Sequence, residues 1–346
     1  MKIIYVGDIQ QGQTCLGRMQ ALQRLGHEVI GVQSQHPVSG GLRGLAGKVS
    51  RRYLRRWADP RANALLAQAI QDIQDVALLW IDRGMQIDPR LLDRAREVVP
   101  DVRIVGYLPD DILNPFNRSR ELLKGLPRYD VVFTNRSFQT EELEALGAPR
   151  AEQIGKSFDP GLHRPVKLSD EERLRLGGPL GFIGTVEQQR AQSMVYLAEH
   201  GVPVKVWGNG WARWVGDHRV AIEVAGPTQY GEIYPKLINA FDINVCFLRK
   251  ANRDWQTSRT FEIPACGAFM LAERTPDHLE LYQEGKEAEF FDSDEELLEK
   301  ARYYLAHPHQ RRRVAAAGHQ RCWNSGYSTD ARMSQMLKRV TDRDAR

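Results

Sequence analysis

The feature that most constrains this chain is an alternation met twice along it: short, β-rich apolar runs separated by longer segments of helical periodicity. In the first half the apolar runs cover 2–6, 28–32, 76–81, 102–108 and 131–134, and helix-compatible segments cover 14–25, 63–74, 90–98 and 137–146. A segment over 158–178, with Pro160, Pro165 and an acidic helical piece ahead of Gly177-Gly178-Pro179, interrupts the alternation. It then restarts, with strand-like runs at 180–183, 204–207, 221–224, 243–248, 268–272 and 289–291 and helix-like segments at 189–199, 230–241, 258–265 and 294–305. Two more helices, over 309–324 and 329–340, close the chain. Strands alternating with helices read as parallel sheets covered on both faces. A chain of 346 residues is too long for one ordinary core and comfortable as two. We therefore expect an α/β protein of two Rossmann-like domains, 1–165 and 172–326, facing each other across a cleft and joined by the linker 158–178. Ligands of such sheets bind outside the carboxyl ends of the strands.

Composition narrows the function classes. With 42% hydrophobic and 27% charged residues and no low-complexity tract, the chain is globular. No stretch approaches the ~20 apolar residues that cross a bilayer, and the run after Met1 is too short for a signal peptide. Cys15, Cys246, Cys266 and Cys322 form no C-x-x-C pair, which argues against a disulfide framework or zinc site and fits a reducing cytoplasm. The 9 histidines show no metal-ligand spacing, so no metal is expected. Neither a G-x-S-x-G elbow nor a G-K-[ST] loop occurs, which disfavours α/β-hydrolases and P-loop NTPases.

Several stretches carry chemistry. Gly7-Asp8-Ile9-Gln10-Gln11-Gly12-Gln13-Thr14 joins the first strand to the first helix, where a glycine-bearing loop either lets backbone approach a ligand or makes a plain tight turn. It is not G-x-G-x-x-G, and Val32-Gln33-Ser34 stands where a ribose-binding acid is needed, so a dinucleotide oxidoreductase is disfavoured. Tyr107-Leu108-Pro109-Asp110-Asp111 brings two acids to the same edge. Asp8, Asp110 and Asp111 are the catalytic candidates, with Asp8 first as general base; the alternative for each is a capping or solvated acid.

In the second half, the chain from Phe247 to Glu273 reads as a strand end, a polar loop, a helix capped by Thr257 or Ser258, and another strand. The helix start, with its N–H groups, its dipole and Arg259, is a cradle for a diphosphate. Asp254 and Glu262 lie either side of this start. Gly184-Thr185-Val186-Glu187-Gln188-Gln189-Arg190 follows the first strand of the second domain; Arg190 either clamps a leaving diphosphate or is a solvated helix charge. Trp207-Gly208-Asn209-Gly210-Trp211 reads as a loop at the same edge, with indoles that flank a nucleobase or pack the domain.

These segments resemble a known family. Arg259 to Leu271 follows the pattern R-x-F-E-x-P-A-C-G-x-F-(M/L)-L of the CgeB-like, spore-maturation type of glycosyltransferase. Leu279, Tyr282, Gly285, Lys286 and Glu287, then Phe291 to Leu297 and Tyr303 to Pro308, continue it, so the match covers about 240–330. The run Ala21 to Val29 is similar to the first βαβ unit of many GT-B glycosyltransferases. The resemblance implies a GT-B fold whose last helix, 327–346, crosses back to the N-terminal domain. It also implies a nucleotide-sugar donor, a UDP-sugar first, as substrate rather than cofactor. In retaining members an acid–seven residues–acid pattern stands where Asp254 and Glu262 stand, and the second acid binds the nucleotide ribose. Members often have Gly-Arg at Gly184-Thr185 and a Lys near Arg190; this chain departs from that, which shifts phosphate binding toward Arg259 or Lys250. Taken with the loop and cap residues read above, the donor-site candidates are Gly184, Thr185, Arg190, Trp207, Gly208, Asn209, Asp254, Ser258, Arg259 and Glu262.

The acceptor stays open. The stretch Arg43–Arg61 holds Arg43, Lys48, Arg51, Arg52, Arg55, Arg56 and Arg61 against the single acid Asp59, with Leu42, Leu45, Val49 and Trp57 at roughly helical spacing. Such a helix suits an anionic lipid surface or a nucleic-acid backbone, or is a solvated face. Glycan, lipid, protein, small-molecule and DNA acceptors all remain, as does a non-catalytic binding or coat-assembly role.

Overall fold

The structure, a computed structural model, describes residues 1–34, 59–73, 75–218 and 220–341. It comprises two compact units.

The first unit comprises Met1–Gly155, Ala251–Arg253 and the C-terminal helix Thr329–Thr341. Strands β1 (Lys2–Gly7), β2 (Glu28–Gln33), β3 (Leu78–Asp82), β4 (Arg103–Leu108), β5 (Val131–Thr134) and β6 (Ala151–Gln153) form one sheet in the order β2-β1-β3-β4-β5-β6. Every pairing is parallel. Period-2 alternation gives the sheet two cores. Ile4, Val6, Leu79, Ile81, Ile104 and Val132 pack with Leu66, Ile70, Leu92, Leu122 and Leu143 of helices Pro60–Asp72, Pro89–Val98, Arg120–Gly125 and Gln139–Ala145. Ile3, Tyr5, Leu78, Trp80, Val105 and Phe133 pack with Ala21 and Leu22 of helix Thr14–Arg24 and with Met333, Met336, Leu337 and Val340 of the C-terminal helix. Tyr5 and Phe133 each stack on Trp80 with centroids 6.4 Å apart. Asp59 and Asp88 cap helices that both open on proline, an N-terminal signal readable from sequence. Of the basic stretch Arg43–Arg61, residues 43–58 lie outside the described residues.

The second unit comprises Lys156–Lys250 and Asp254–Ser328. Its strands are β7 (Gly178–Ile183), β8 (Val204–Trp207), β9 (Glu223–Gly226), β10 (Phe241–Cys246), β11 (Met270–Glu273) and β12 (Glu289–Phe291), ordered β12-β11-β10-β7-β8-β9. They too are parallel throughout. Leu180, Phe182, Ile243, Val245 and Leu271 face helices Gln188–Glu199 and Asp294–Ala306 through Met194, Leu197, Leu297 and Ala301. Ile183, Cys246, Met270 and Ala272 face the opposite core with Leu237, Phe261, Ile263 and Cys322.

The unit begins at Lys156 rather than at 172, and the stretch expected to link the domains belongs to it. The reason is Phe158, which is fully buried in the second unit's core, while its N–H donates to the Tyr327 carbonyl at 3.2 Å. Two elements differ from expectation in kind. β6 is a short polar edge strand without an apolar run, and the loop expected over 207–211 ends in a helix, Trp211–His218, once the fully buried Trp211 anchors it. No helix among the described residues is long and apolar enough to cross a membrane.

Candidate functional site

Each sheet has one place where the strand order reverses: between β1 and β3 in the first, between β7 and β10 in the second. Crossovers leave that point in opposite directions, so a crevice opens there at the carboxyl ends.

In the second unit, three glycine-bearing loops knit this edge. The Gly184 N–H donates to the Trp207 carbonyl at 2.7 Å, Val186 to Asn209 at 3.1 Å, and Gly208 to Gly226 at 2.9 Å. Gly208 has φ +154°, and a Cβ there would lie 2.0 Å from the Gly184 oxygen, so only glycine permits the approach. Thr185 and Asn209 remain exposed at the rim.

The two arginines have different circumstances. Arg190 is buried; it donates to the Thr185 carbonyl at 3.1 Å, the Leu248 carbonyl at 3.2 Å and Glu187 at 3.2 Å. It is a strut between the ends of β7 and β10 rather than an open phosphate clamp, and burial lowers its pKa from the usual arginine range. Arg259 is half-buried, and its Nε donates to the Ile183 carbonyl at 2.5 Å. Its two terminal nitrogens have no protein acceptor among the described residues, and Nη2 lies 2.5 Å from where a Gly184 Cβ would be. Both guanidinium carbons lie 5.3 Å from the centroid of the Phe182 ring. Lys250 pairs with Glu273 at 3.0 Å.

Helix Arg259–Ala265 is capped one residue earlier than Ser258: Thr257 Oγ1 accepts from the Arg259 N–H at 3.1 Å. Ser258 keeps its N–H and hydroxyl without protein partners among the described residues. Glu262, one turn on, accepts from the Tyr234 hydroxyl at 2.7 Å and lies 3.8 Å from His163 Nε2. Asp254 is buried and 3.6 Å from Lys156 Nζ, so it acts as a counter-charge in the fold. Trp207 is also structural. Its indole N–H donates to the Leu176 carbonyl at 2.8 Å and its ring covers Gly226, so the packing reading replaces the nucleobase platform. A hollow of about 380 Å³ lies at the amino ends of β7 to β10, away from the glycine loops; its Lys205 is paired with Glu223 at 3.0 Å.

In the first unit, Gln33 does what a ribose-binding acid would not: its amide accepts from the Ile9 N–H and donates to Asp8 Oδ1, each at 2.8 Å. Asp8 Oδ2 has no protein partner among the described residues. Asp110 pairs with Arg83 at 3.2 Å. Asp111 is a different case from the one expected. Arg253 holds both its oxygens, at 2.6 and 2.7 Å, and although burial pushes the carboxyl up, that fork and the Leu113 N–H more than offset it and hold it below the usual range. A carboxylate so held is a poor proton acceptor and a structural group.

Sequence reasoning passed over Asp82, Arg18 and Tyr5. Asp82 ends β3 almost wholly buried, and its Oδ2 accepts from Tyr5 and from Arg18 Nε, each at 2.6 Å. Its Oδ1 is buried without a partner among the described residues. Arg83 follows with φ +69°, strained for a side chain with a Cβ. The one sequence signal was an acid closing an apolar run ahead of Arg83-Gly84.

Comparison with known proteins agrees with this geometry. Residues 189–338 match the family described as glycosyl transferase-like. No curated protein matches the chain by sequence. Among solved structures, HepE of Anabaena in complex with UDP-glucose is 16% identical with a TM-score of 0.62, over 99% of this chain and 100% of that one. Sucrose-phosphate synthase of Thermosynechococcus elongatus is 12% identical with a TM-score of 0.68, over 100% and 99% of the two chains. An alpha-glucosyltransferase in complex with UDP-glucose and DNA containing an abasic site is 14% identical with a TM-score of 0.65, over 99% of each. At these identities the structural likeness is one of fold, and the family match adds the activity. With both sheets parallel, reversed at one point each, and a glycosyl transferase-like C-terminal segment, the chain is a glycosyltransferase of the GT-B fold.

Proposed function

We propose that this glycosyltransferase, a CgeB-like member, takes a UDP-sugar at the carboxyl edge of β7 and β10 and transfers the sugar with retention to an acceptor held by the first unit. The observation that carries the reading is the open fork of Arg259 above Gly184, three residues before Glu262 on one helix. A leaving diphosphate gains charge in the transition state, and a preorganised guanidinium with a helix N-terminus stabilises that charge without a metal. Gly184 and Gly208 admit the diphosphate to backbone, Thr185, Asn209 and the Ser258 N–H line it, and Glu262 takes the ribose hydroxyls. Arg190 and Asp254 hold the loops. Asp8, oriented by Gln33, is the acid presented to the acceptor, with Asp110 beside Arg83 as a second polar contact. The reading places the enzyme in the cytoplasm, with the basic stretch as its contact to an anionic surface.

Calorimetry with UDP, GDP, TDP and CMP, with and without EDTA, tests it. UDP should bind selectively and independently of chelator, and Glu262→Ala should weaken it by at least about tenfold while the fold persists. Wild-type affinity in that variant removes the ribose assignment. A nucleic-acid acceptor is the second reading, favoured by Arg43–Arg61 and by the likeness to a glucosyltransferase complexed with DNA. Duplex binding that falls steeply with salt supports it, and indifference to DNA removes it.

A further inference from the structure

Glu262 is held by groups that lie far from it in sequence. Its Oε2 accepts from the Tyr234 hydroxyl, at 2.7 Å, presented by the helix Ile233–Ala240. On the other side Oε1 lies 3.8 Å from His163 Nε2. His163 is itself oriented: its Nδ1 accepts from the Asp159 N–H at 2.9 Å, so in the neutral imidazole the proton is on Nε2, the nitrogen that faces Glu262. The imidazole meets the Tyr234 ring edge-on, centroids 5.7 Å apart at 80°, and so braces the phenol.

The chemistry of this arrangement is specific. A glutamate side chain immobilised by a ligand loses rotamer freedom on binding unless that freedom is already gone. The phenol hydrogen bond sets the direction of one carboxylate oxygen, and the imidazole edge, 3.8 Å from the other, limits where that oxygen can swing. Each partner occupies one side of one oxygen, and a carboxylate has further lone pairs to accept from two adjacent hydroxyls. We propose that Tyr234 and His163 are positioning residues that preset Glu262 for a vicinal diol, and thereby set the preference of this enzyme for ribonucleotide over deoxyribonucleotide donors; this rests on the donor reading above.

The test is calorimetric binding of UDP, 2′-deoxy-UDP and 2′,3′-dideoxy-UDP to the full chain, as wild type, Tyr234→Phe, His163→Gln, Glu262→Gln and the Tyr234→Phe/Glu262→Gln double variant. A site that hydrogen-bonds a hydroxyl rejects the analogue lacking it, so wild type should favour UDP over the dideoxy form by about tenfold or more. Tyr234→Phe should weaken UDP roughly three- to tenfold and the dideoxy form by less than about twofold, with His163→Gln following in the same direction. In the Glu262→Gln background Tyr234→Phe should add nothing. Equal losses on UDP and its dideoxy analogue would reduce both residues to structural roles and overturn the proposal. Loss of the preference in Glu262→Gln with its retention in Tyr234→Phe and His163→Gln would overturn it while leaving the donor reading standing. A wild type that binds no UDP refutes the donor reading itself.

Discussion

Replacing Asp82 by asparagine keeps the shape at the end of β3 and removes one charge. Arg18 then keeps its burial, with 9% of its side chain exposed, and loses the counter-ion that its Nε reaches at 2.6 Å. The remaining partners of that guanidinium are neutral: Thr14 Oγ1 at 3.3 Å, the Cys15 sulfur at 3.6 Å and the face of Tyr107, with the guanidinium carbon 4.5 Å from its centroid. Breaking a buried pair by removing one member costs about 3–5 kcal/mol; an amide oxygen still accepts one bond, so the lower figure, about 3 kcal/mol, applies. For a unit of this size that lowers its melting temperature by roughly 6–12 °C. The exposed pair Arg94–Glu97, at 2.9 Å with side chains 52% and 62% exposed, is the control: removing it should cost no more than about 0.5 kcal/mol. Calorimetric scans should show the first unit's transition moving in Asp82→Asn, and the double variant Arg18→Met/Asp82→Leu recovering most of the loss because no unpaired charge remains. A loss under about 1 kcal/mol in Asp82→Asn, or a double variant worse than the single, would refute the reasoning.

Gly208→Ala should cost at least about 1–3 kcal/mol and abolish UDP binding, since its Cβ would lie 2.0 Å from the Gly184 oxygen at a φ of +154°. Gly216→Ala, in an exposed helix with nothing within 4 Å, should instead stabilise by about 0.5–1 kcal/mol; urea unfolding of both separates the cases. Arg259→Leu should weaken UDP while sparing uridine and lower the melting temperature only slightly, through the one donor lost to the Ile183 carbonyl, whereas Arg190→Leu, which removes the buried donors to the Thr185 and Leu248 carbonyls, should lower it more; reversed effects would exchange their roles. His278 is fully buried, with Nδ1–H donating to the Glu273 carbonyl at 2.6 Å and Nε2 accepting from Thr260 at 2.8 Å. Burial lowers its pKa from 6.5 to about 4, so the unfolded chain takes up the proton first. Stability is therefore full above about pH 6.5 and falls by roughly 3 kcal/mol as the pH drops to 4, and His278→Gln should flatten that window in pH-dependent melts.

Much of the architecture was legible because its causes are local. Apolar runs that alternate with helical periodicity report burial on both faces of a parallel strand, and Asp59-Pro60 and Asp88-Pro89 announce helices within four residues. β6 was not legible: Ala-Glu-Gln is a strand because β5 offers an unpaired edge beside it, with Val132 opposite Ala151 in register. The two-domain count followed from length, but the position of the division did not, because it depends on which core takes Phe158.

At the site, sequence by itself determined which residues were eligible. It brought forward Gly184, Gly208 and Arg259 as candidates that suit a phosphate, and Glu262 through the family resemblance. Only the tertiary structure decided which eligible residues were already engaged. Arg190 and Arg259 have the same side chain, yet one is held by the carbonyls of two loops and the other keeps a fork open. Asp111 and Asp8 are both strand-end acids, yet Arg253 closes on one and an amide leaves an oxygen of the other clear. Asp82 gained its meaning from Arg18, 64 residues away, and Glu262 from Tyr234, 28 residues away. A side chain's chemistry is local, but the hydrogen bonds that occupy or orient it come from elements that are neighbours only after folding.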